Sequence, residues 1–402
     1  MKKCLNFCLA LLLILSVLPV TGAAAAEEEV TINVYNWGQY IADGSDGYID
    51  VIAEFEAAYP HIKVNYMTFD SNESMYTKLI AGGSSFDIII PSDYMVEKLI
   101  AEERLEPLNF DNIPNFEYID ERFRDPAYDP GSIYSVPYTW GSVGIIYNSL
   151  YVSEEDLAEE SWNLLWNEKY AGKILMFDNP RDAFAIAELF LGYSLNTENM
   201  DELEAAADKL RKQKPVVQAY VMDQVFQKMQ REEAWIAPYY AGDFLVMQEE
   251  NENLCFYHPK EGFNIFVDAI CIPRGAEHKA EAETFINFLL EPEICAGNLE
   301  YIGYSSPETA SLEFMDPEIV NDPITYPSEE VKASGEEFKA LSLEATQYMN
   351  ALWLTVKTAD TSTTVYLILT IGAVLLVALL WVVFKVRKRQ QKRRRCQKWK
   401  NA

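Results

Sequence analysis

Residues 86–94 read Phe86-Asp87-Ile88-Ile89-Ile90-Pro91-Ser92-Asp93-Tyr94, and this stretch decides the fold class. Three consecutive isoleucines after an aromatic residue are typical of a short strand that is buried on both faces. Pro91 and Ser92 end the apolar run, and a helix is predicted directly afterwards, from Met95 to Glu103. A buried strand, a short polar loop and a helix together form one unit of an α/β fold.

The same unit recurs on both sides of this stretch. Towards the N-terminus the pattern predicts strands at Thr31–Tyr35 and Ile62–Thr68, and helices at Tyr48–Tyr59 and Glu73–Ala81. Towards the C-terminus it predicts strands near Ser142–Tyr147, Lys173–Phe177 and Ala234–Tyr239, and helices at Asp182–Leu191, Met200–Lys212, Asp223–Glu232, Lys279–Leu290 and Glu336–Lys357. We expect a largely parallel, doubly wound sheet, whose ligands lie at the carboxyl ends of the strands. The loops 36–40 and 91–94 follow strands directly and are therefore candidate ligand loops.

The α/β units are expected to divide into two lobes between which the chain crosses more than once. The prediction assigns residues 30–138 and 272–312 to lobe 1, and residues 139–271 and 313–358 to lobe 2. The segments Pro137–Gly141 and Asp268–Pro273 fall at the crossings, so they are predicted as the hinge strands.

Both ends of the chain carry segments that concern the membrane. Residues 1–26 combine Met1-Lys2-Lys3, an apolar run and four alanines, which is the pattern of a secretory signal peptide. Residues 363–384 contain 22 positions without a charge, enough for one transmembrane helix. The basic tail 385–402 follows at once, so the positive-inside rule predicts a cytoplasmic tail and a large extracellular N-terminal domain. A nucleic-acid patch in this tail is the less favoured alternative.

The exported part of the chain is strongly acidic. The sequence holds 33 basic and 62 acidic residues, but 12 of the basic residues lie in the two flanking segments. The remaining 21 against 62 leave the domain near −41. Such a surface argues against nucleic acid as a partner and raises the local concentration of a cationic ligand. Solubility at a crowded cell surface explains the bulk charge equally well.

Few residues have the spacing that a catalytic site, a metal site or a disulfide requires. Three cysteines lie outside the flanking segments, at 255, 271 and 295, and neither a CxxC motif nor a zinc-site spacing occurs. They are either three buried thiols or one disulfide, with Cys255–Cys271 the favoured pair. The carboxylates Asp178 and Asp182 are the only candidates for acid–base hydrolysis of a sugar, and no other catalytic signature is present. We therefore expect binding without turnover and no cofactor.

Several short motifs follow one another along the chain. In order, they are Tyr35-Asn36-Trp37, residues 71–76 (SNESMY), 86–94 (FDIIIPSDY), 135–141 (SVPYTWG), 177–182 (FDNPRD), 266–268 (FVD), 286–290 (INFLL) and 302–307 (IGYSSP). Together they resemble the spermidine/putrescine-binding proteins of polyamine ABC importers. The resemblance extends over residues 30 to 355. It implies a two-lobed solute-binding protein of the periplasmic-binding-protein-like type II class, with a hinge between two doubly wound α/β lobes.

The resemblance also implies which side chains face the cleft between the lobes. Those expected from lobe 1 are Trp37, Tyr40, Ser92 and Tyr94, and those expected to complete the site are Asp182, Tyr240, Phe266, Asp268 and Tyr304. A chain of protonated amines needs carboxylates for its ends and aromatic faces for its methylene stem, and these residue types supply both. Asp268 is expected to be the main anchor for an amine.

Four positions depart from the pattern of that family. Gln39 and Asn179 stand where the family commonly has acidic residues, and Tyr240 and Phe266 replace indole rings. Fewer carboxylates imply fewer amines held, which favours putrescine over spermidine as the ligand.

The expected function is that of a membrane-anchored binding component of an ABC importer, acting as a monomer by hinge closure around its ligand. The permease and the ATPase must then be separate subunits. Three alternatives remain open at this point. The adjacent tyrosines Tyr239 and Tyr240 could hold ferric iron, Asp178 and Asp182 could belong to a surface glycoside hydrolase, and the whole domain could be a ligand-sensing ectodomain.

Overall fold

The computed structural model describes residues 28–82 and 85–358, together with the single positions 381, 385 and 388. The predicted signal peptide lies outside the described residues. So do the predicted basic tail and transmembrane helix, apart from those three positions. No helix within the described part of the chain is both long and apolar enough to cross a bilayer.

The described residues form strands and helices that alternate along much of the chain. The strands are β1 (Val30–Trp37), β2 (Ile62–Phe69), β3 (Ile88–Ile89), β4 (Ser135–Asn148), β5 (Ile174–Phe177), β6 (Val217–Val221), β7 (Ile236–Tyr240), β8 (Leu254–Tyr257), β9 (Phe263–Cys271) and β10 (Gly335–Glu337). The α-helices are α1 (Val51–Ala58), α2 (Asn72–Ile80), α3 (Asp93–Ala101), α4 (Glu154–Leu157), α5 (Pro180–Phe190), α6 (Met200–Gln213), α7 (Gln224–Gln230), α8 (Ala241–Glu250), α9 (Lys279–Leu289), α10 (Pro292–Ile302), α11 (Pro317–Val320), α12 (Glu329–Lys332) and α13 (Leu343–Thr358). Short 3-10 turns lie at 45–47, 110–112, 114–118, 121–123, 162–166, 168–170 and 311–313.

Two groups of strands, each parallel within itself, are joined by two antiparallel strands. The order is β2-β1-β3-β9-β4-β7-β5-β6, with β8 paired to β4 and β10 paired to β9. β1 runs parallel to β2 and β3, and β5 runs parallel to β6 and β7. β9 and β4 lie between these two groups and are antiparallel to each other. β9 is also antiparallel to β3, and β4 is antiparallel to β7. The expectation of α/β lobes is therefore confirmed, with a mixed sheet in place of a largely parallel one.

The long strand β4 links the two lobes. Its residues from Ser135 to Ser142 pair with β9, and those from Val143 to Tyr147 pair with β7 of the second lobe. A β-bulge between Pro137 and Thr139 shifts the register. The predicted hinge strands thus correspond to β4 and to β9 with the residues after it, while the exact lobe boundaries stay a prediction.

Several helix starts are set by polar caps, two of which, Ser71 and Asn179, follow directly after strands. Asp50 accepts a hydrogen bond from the backbone N–H of Ala53 at 2.9 Å, so α1 begins at Val51. The predicted start at Tyr48 was wrong, because Tyr48 and Asp50 both have an extended backbone. Ser71 forms a capping box with Ser74 at the start of α2, and Asn179 caps α5. These caps orient the loops that line the cleft.

The predicted helix from Glu336 to Lys357 was also wrong at its N-terminal end. Residues 335–337 form β10, and the helix begins only at Leu343. Gly335 approaches Ile265 of β9 so closely that a side chain at 335 would collide with it. The carboxylate of Glu336 accepts a hydrogen bond from the side-chain amide of Asn196 at 2.9 Å, which favours the extended conformation. The later helix, α13, packs on α6 and α5 of the second lobe.

The three described cysteines are free thiols. Cys271 and Cys295 are buried, whereas Cys255 is half-buried. Of the two alternatives left open by the sequence, the structure therefore favours three thiols over a Cys255–Cys271 disulfide, although Cys255 is less buried than expected.

Candidate functional site

A cleft lies between the two lobes, and the nine residues predicted from the sequence all line it. It contains about 700 Å³ of empty space, including its opening to solvent. The nine predicted residues are Trp37, Tyr40, Ser92, Tyr94, Asp182, Tyr240, Phe266, Asp268 and Tyr304. Most lie at or just after strand ends, as the α/β pattern predicts, whereas Phe266 and Asp268 lie within β9 and Tyr304 follows α10. Their contact with a ligand stays a prediction.

Asp268 occupies the crossing of β9 with β4. The Tyr40 hydroxyl donates a hydrogen bond to its Oδ2 at 2.6 Å and lies 2.6 Å from the Thr139 hydroxyl. The other oxygen, Oδ1, is buried and makes no hydrogen bond of good geometry among the described residues, although the nearby Ser92 hydroxyl lowers the pKa of this carboxyl. Burial raises the pKa of Asp268 to about 6. A buried carboxylate with a free oxygen is a strong acceptor for a charged donor, because leaving it unpaired costs free energy.

Asp182 lies in the first turn of α5. Its backbone N–H donates to the side chain of the cap residue Asn179 at 2.8 Å, and its carboxylate accepts from the Tyr240 hydroxyl at 2.8 Å. The Asn179 side-chain amide also donates to this carboxylate. Burial raises the pKa of Asp182, while these two donors oppose that rise. The start of α5 therefore places a carboxylate in the lining of the cleft.

Aromatic rings form the walls between these carboxylates. Tyr40 and Tyr304 meet edge to face with their centroids 4.9 Å apart, and Phe266 contacts Tyr240 in the same way at 5.5 Å. Burial raises the pKa of Tyr40, Tyr240 and Tyr304 well above the usual value, so all three stay neutral phenols. Such walls can enclose a methylene stem and attract an ammonium group through their ring faces.

The sequence analysis missed several charged residues in the cleft. Asp70, Glu73, Asp223 and Asp243 bring the number of lining carboxylates to six, against the single guanidinium of Arg181. Burial and then the charge of Asp223 raise the pKa of Asp243 to about 8. Asp243 lies in the first turn of α8, directly after β7, so the strand-end rule that selected Ser92 would also have found it.

A glycine explains how Asp243 comes so close to the other lobe. A Cβ at Gly242 would lie 2.5 Å from the ring of Tyr304. Because glycine lacks that atom, α8 can begin directly against this ring and place the next residue, Asp243, in the cleft.

The structure also bears on the two alternative functions, sugar hydrolysis and ferric-iron binding. Asp178 lies outside the cleft and forms an ion pair with Lys357, so it cannot act together with Asp182 on one substrate bond. Tyr239 and Tyr240 both line the cleft, but burial raises the pKa of each hydroxyl well above 10.0. This disfavours the phenolates that a ferric ion would need.

Comparison with known proteins decides the family. Residues 50–327 match the family described as bacterial extracellular solute-binding protein. This chain belongs to that family. The solute-binding protein is 33% identical over 315 residues to the spermidine/putrescine-binding periplasmic protein of Escherichia coli (strain K12), covering 78% of this chain and 88% of the relative.

Two further comparisons agree with this assignment of the solute-binding protein. It is 30% identical over 354 residues to the putrescine-binding periplasmic protein SpuD of Pseudomonas aeruginosa (strain UCBPP-PA14), covering 84% of this chain and 95% of the relative. A solved structure from Listeria monocytogenes, described as a spermidine/putrescine ABC transporter, has a TM-score of 0.76 and 38% identity. That match covers 82% of this chain and 99% of the other. The two-lobed fold and the resemblance stated from the sequence are both confirmed.

Proposed function

We propose that this solute-binding protein binds a polyamine in the cleft between its lobes and delivers it to an ABC importer. The observation that carries the proposal is the excess of carboxylates over cations: six against one, interleaved with aromatic rings. The names of the similar proteins, which include spermidine and putrescine binders, support the same ligand class.

The charge arrangement favours a cationic ligand. Burying ionised carboxylates without a counter-ion is unfavourable, so burial in the cleft raises the pKa values of Asp268 and Asp243. An ammonium group can donate to the free Oδ1 of Asp268 and stabilise the ionised carboxylate. Anionic or neutral solutes offer no such compensation, which supports a protonated amine.

Among polyamines we favour putrescine over spermidine. The amide of Asn179 donates to Asp182, so this position consumes one acceptor of the cleft and does not add a carboxylate. Gln39 has a left-handed backbone conformation with φ of 54° and is absent from the cleft lining. Neither of these two positions therefore adds an acid to the cleft.

Delivery to a transporter follows from the two-lobed architecture. A ligand that contacts both lobes at once shifts the population towards the closed form, which is the form a permease can recognise. The predicted transmembrane helix at 363–384 would keep the domain at the outer face of the membrane, near a separate permease and ATPase. The proposed protein is a monomer without a cofactor, and its acidic charge makes nucleic acid an unsuitable partner.

Titration calorimetry of the full chain with putrescine, spermidine and ferric citrate tests this function. We expect binding heat with both polyamines and tighter binding of putrescine. Absence of heat with either polyamine, together with a coloured tyrosinate–iron complex, would instead support ferric-iron binding. Release of the chain from cell membranes by alkaline extraction would contradict the proposed anchor.

A further inference from the structure

A second cavity lies behind the strands that join the two lobes. Its floor is formed by Trp140 of β4 and by Ile265 and Val267 of β9. Successive side chains of a strand point to opposite faces, and the intervening residue Phe266 lines the ligand cleft. The two cavities therefore lie on opposite faces of the same pair of strands. The second cavity is called the rear crevice below.

The two walls of the rear crevice belong to different lobes. One wall is the segment 122–128, whose Tyr128 packs in the apolar core with residues of β1 and β3. The other wall is formed by α12 and β10. β10 pairs with the start of β9, and its Glu336 carboxylate accepts from the side chain of Asn196, in the loop between α5 and α6, at 2.9 Å. Each wall therefore moves with its own lobe.

The floor of the rear crevice is fixed by hydrogen bonds. The backbone N–H of Trp140 donates to the Ser305 carbonyl at 3.2 Å, and the Ser305 N–H donates to the Trp140 carbonyl at 3.3 Å. The indole N–H of Trp140 donates to the Ser306 carbonyl at 3.1 Å, and the whole residue is only 4% exposed. Bulk added to the crevice therefore acts on the walls and not on this ring.

The lobes approach each other closely on the opposite side of the floor, across the ligand cleft. A Cβ at Gly38, in the loop after β1, would lie 2.5 Å from the carboxylate of Asp223, in the loop after β6. The cleft contains about 700 Å³ of empty space and the rear crevice about 1490 Å³, each including its opening to solvent. This arrangement is thus closed at the cleft and wide at the rear crevice.

We propose that the rear crevice sets the balance between the open and closed forms of the protein. The lobes rotate about strands that lie between the two cavities, so a rotation that opens the cleft narrows the rear crevice. Bulk in the crevice meets the opposite wall only when the crevice narrows, and it therefore raises the free energy of the open form alone. A change in the crevice then alters ligand affinity without touching the ligand.

This inference adds a control surface to the proposed polyamine function, and it rests on that function only where putrescine serves as the probe. Side chains that extend into the crevice from either wall can test it. Ala127 lies on the first wall and is exposed. Glu337 lies on the second wall, is exposed, and pairs in register with Ile265, so these two side chains share the face that lines the crevice.

The first experiment compares Ala127→Trp and Glu337→Trp with the unchanged full chain by calorimetry and by dissociation kinetics. We expect putrescine affinity to rise about fivefold or more in each variant, mainly through slower dissociation. A minor closed state is typically populated at about 0.1–10% without ligand, which leaves room for a gain of this size. Ala127→Val and Ala127→Phe should give smaller gains, in the order of side-chain volume.

The second experiment needs no ligand. Hydrogen exchange measured by mass spectrometry reports how often the loops on either side of the cleft are open to solvent. In the ligand-free tryptophan variants, backbone amides at 37–40 and 222–224 should exchange about fivefold more slowly than in the unchanged chain, because the open form is less populated.

Two controls separate bulk in the crevice from other effects of the substitutions. Ala171→Trp adds the same ring at an exposed position that lines neither cavity. Glu337→Gln removes the charge of the second wall without adding bulk. Both controls should keep the original putrescine affinity and the original exchange rates.

A folded tryptophan variant with unchanged or weaker putrescine binding, or with unchanged exchange of the cleft loops, overturns the inference and leaves the polyamine function intact. If one tryptophan variant melts without cooperativity, the variant on the opposite wall decides, and Ala127→Val decides if both do. Failure of the unchanged chain to bind putrescine overturns the proposed function instead. The exchange experiment then still decides whether the rear crevice controls closure.

Discussion

The two ends of the cleft differ in where their positive charge comes from. At one end, Asp268 and Asp243 lie among phenol hydroxyls, without a lysine or arginine in the cleft lining beside them. At the other end, Glu73 lies beside Arg181, which is part of the chain. The first end therefore depends on a ligand for its counter-ion, whereas the second is already compensated. A count of carboxylates alone therefore does not give the number of ammonium groups that a cleft can bind.

Removing the Asp268 charge, at the uncompensated end, should have the largest effect on polyamine affinity. In Asp268→Asn, the bound ammonium loses its ionic partner in a buried position, which costs about 2 kcal/mol or more, or about a 30-fold loss of polyamine affinity. Calorimetry with putrescine measures it. Asp111→Asn, in a surface turn remote from the cleft lining, is the matched control and should bind normally. Unchanged affinity of the Asp268 variant would show that the anchor lies elsewhere.

Proton release on binding should show that the uncompensated end depends on the ligand for its counter-ion. The pKa values of Asp243 and Asp268 are raised to about 8 and about 6, so at pH 7 Asp243 is mostly protonated before an amine arrives. A bound ammonium favours the ionised form and releases that proton. Affinity should therefore rise about 100-fold between pH 6 and pH 8, with about one proton released at pH 7.

Calorimetry in two buffers of different ionisation enthalpy measures the released proton, and Asp243→Asn should abolish it. The stability of the ligand-free protein should change in the opposite direction. Between the unfolded and the folded pKa values the folded state binds more protons, so the contribution of both aspartates is present at low pH. It is lost as the pH rises through about 6 for Asp268 and about 8 for Asp243. Thermal unfolding at pH 5 and pH 8 without ligand gives the sign.

Removing the charge of Glu73, at the compensated end, should have the smallest effect. In Glu73→Gln, the amide oxygen can still accept from Tyr94, and Arg181 still offsets Asp182. Putrescine affinity should change by less than about threefold, within the range of one exchanged hydrogen bond. A loss as large as that of the Asp268 variant would mean that the two ends bind ligand ammonium groups equally.

Much of the framework followed from short-range patterns. Buried strands such as β3, and helices that start at polar caps, such as α2, are encoded by neighbouring residues, so their positions were predicted within a few residues. The segment 335–340 was not, because its extended form depends on bonds to Asn196 and Glu97 from distant parts of the chain. The helical pattern of the local sequence contains no information about those distant partners.

The candidate site shows the same division. Asp268 and Tyr40 were identified from motifs, and the structure joins them by a hydrogen bond of 2.6 Å across 228 positions of sequence. Arg181 belongs to the 177–182 motif but was not selected as a site residue, and Phe338 lies in none of the motifs. Their contact forms only where the 335–340 segment crosses the start of α5. Asp243 was within reach of the strand-end rule and was overlooked.

The α/β class and the acidic charge could be derived from the sequence alone, because they depend on composition and on the periodicity of neighbouring residues. The nine residues that meet in the cleft came from the family resemblance, which rests on local motifs. The folded structure was needed to show which carboxylates keep a free oxygen, which phenols stay neutral, and where the chain supplies its own cation. Those properties depend on burial and on distances between residues far apart in the chain, and such distances exist only once the lobes have folded together.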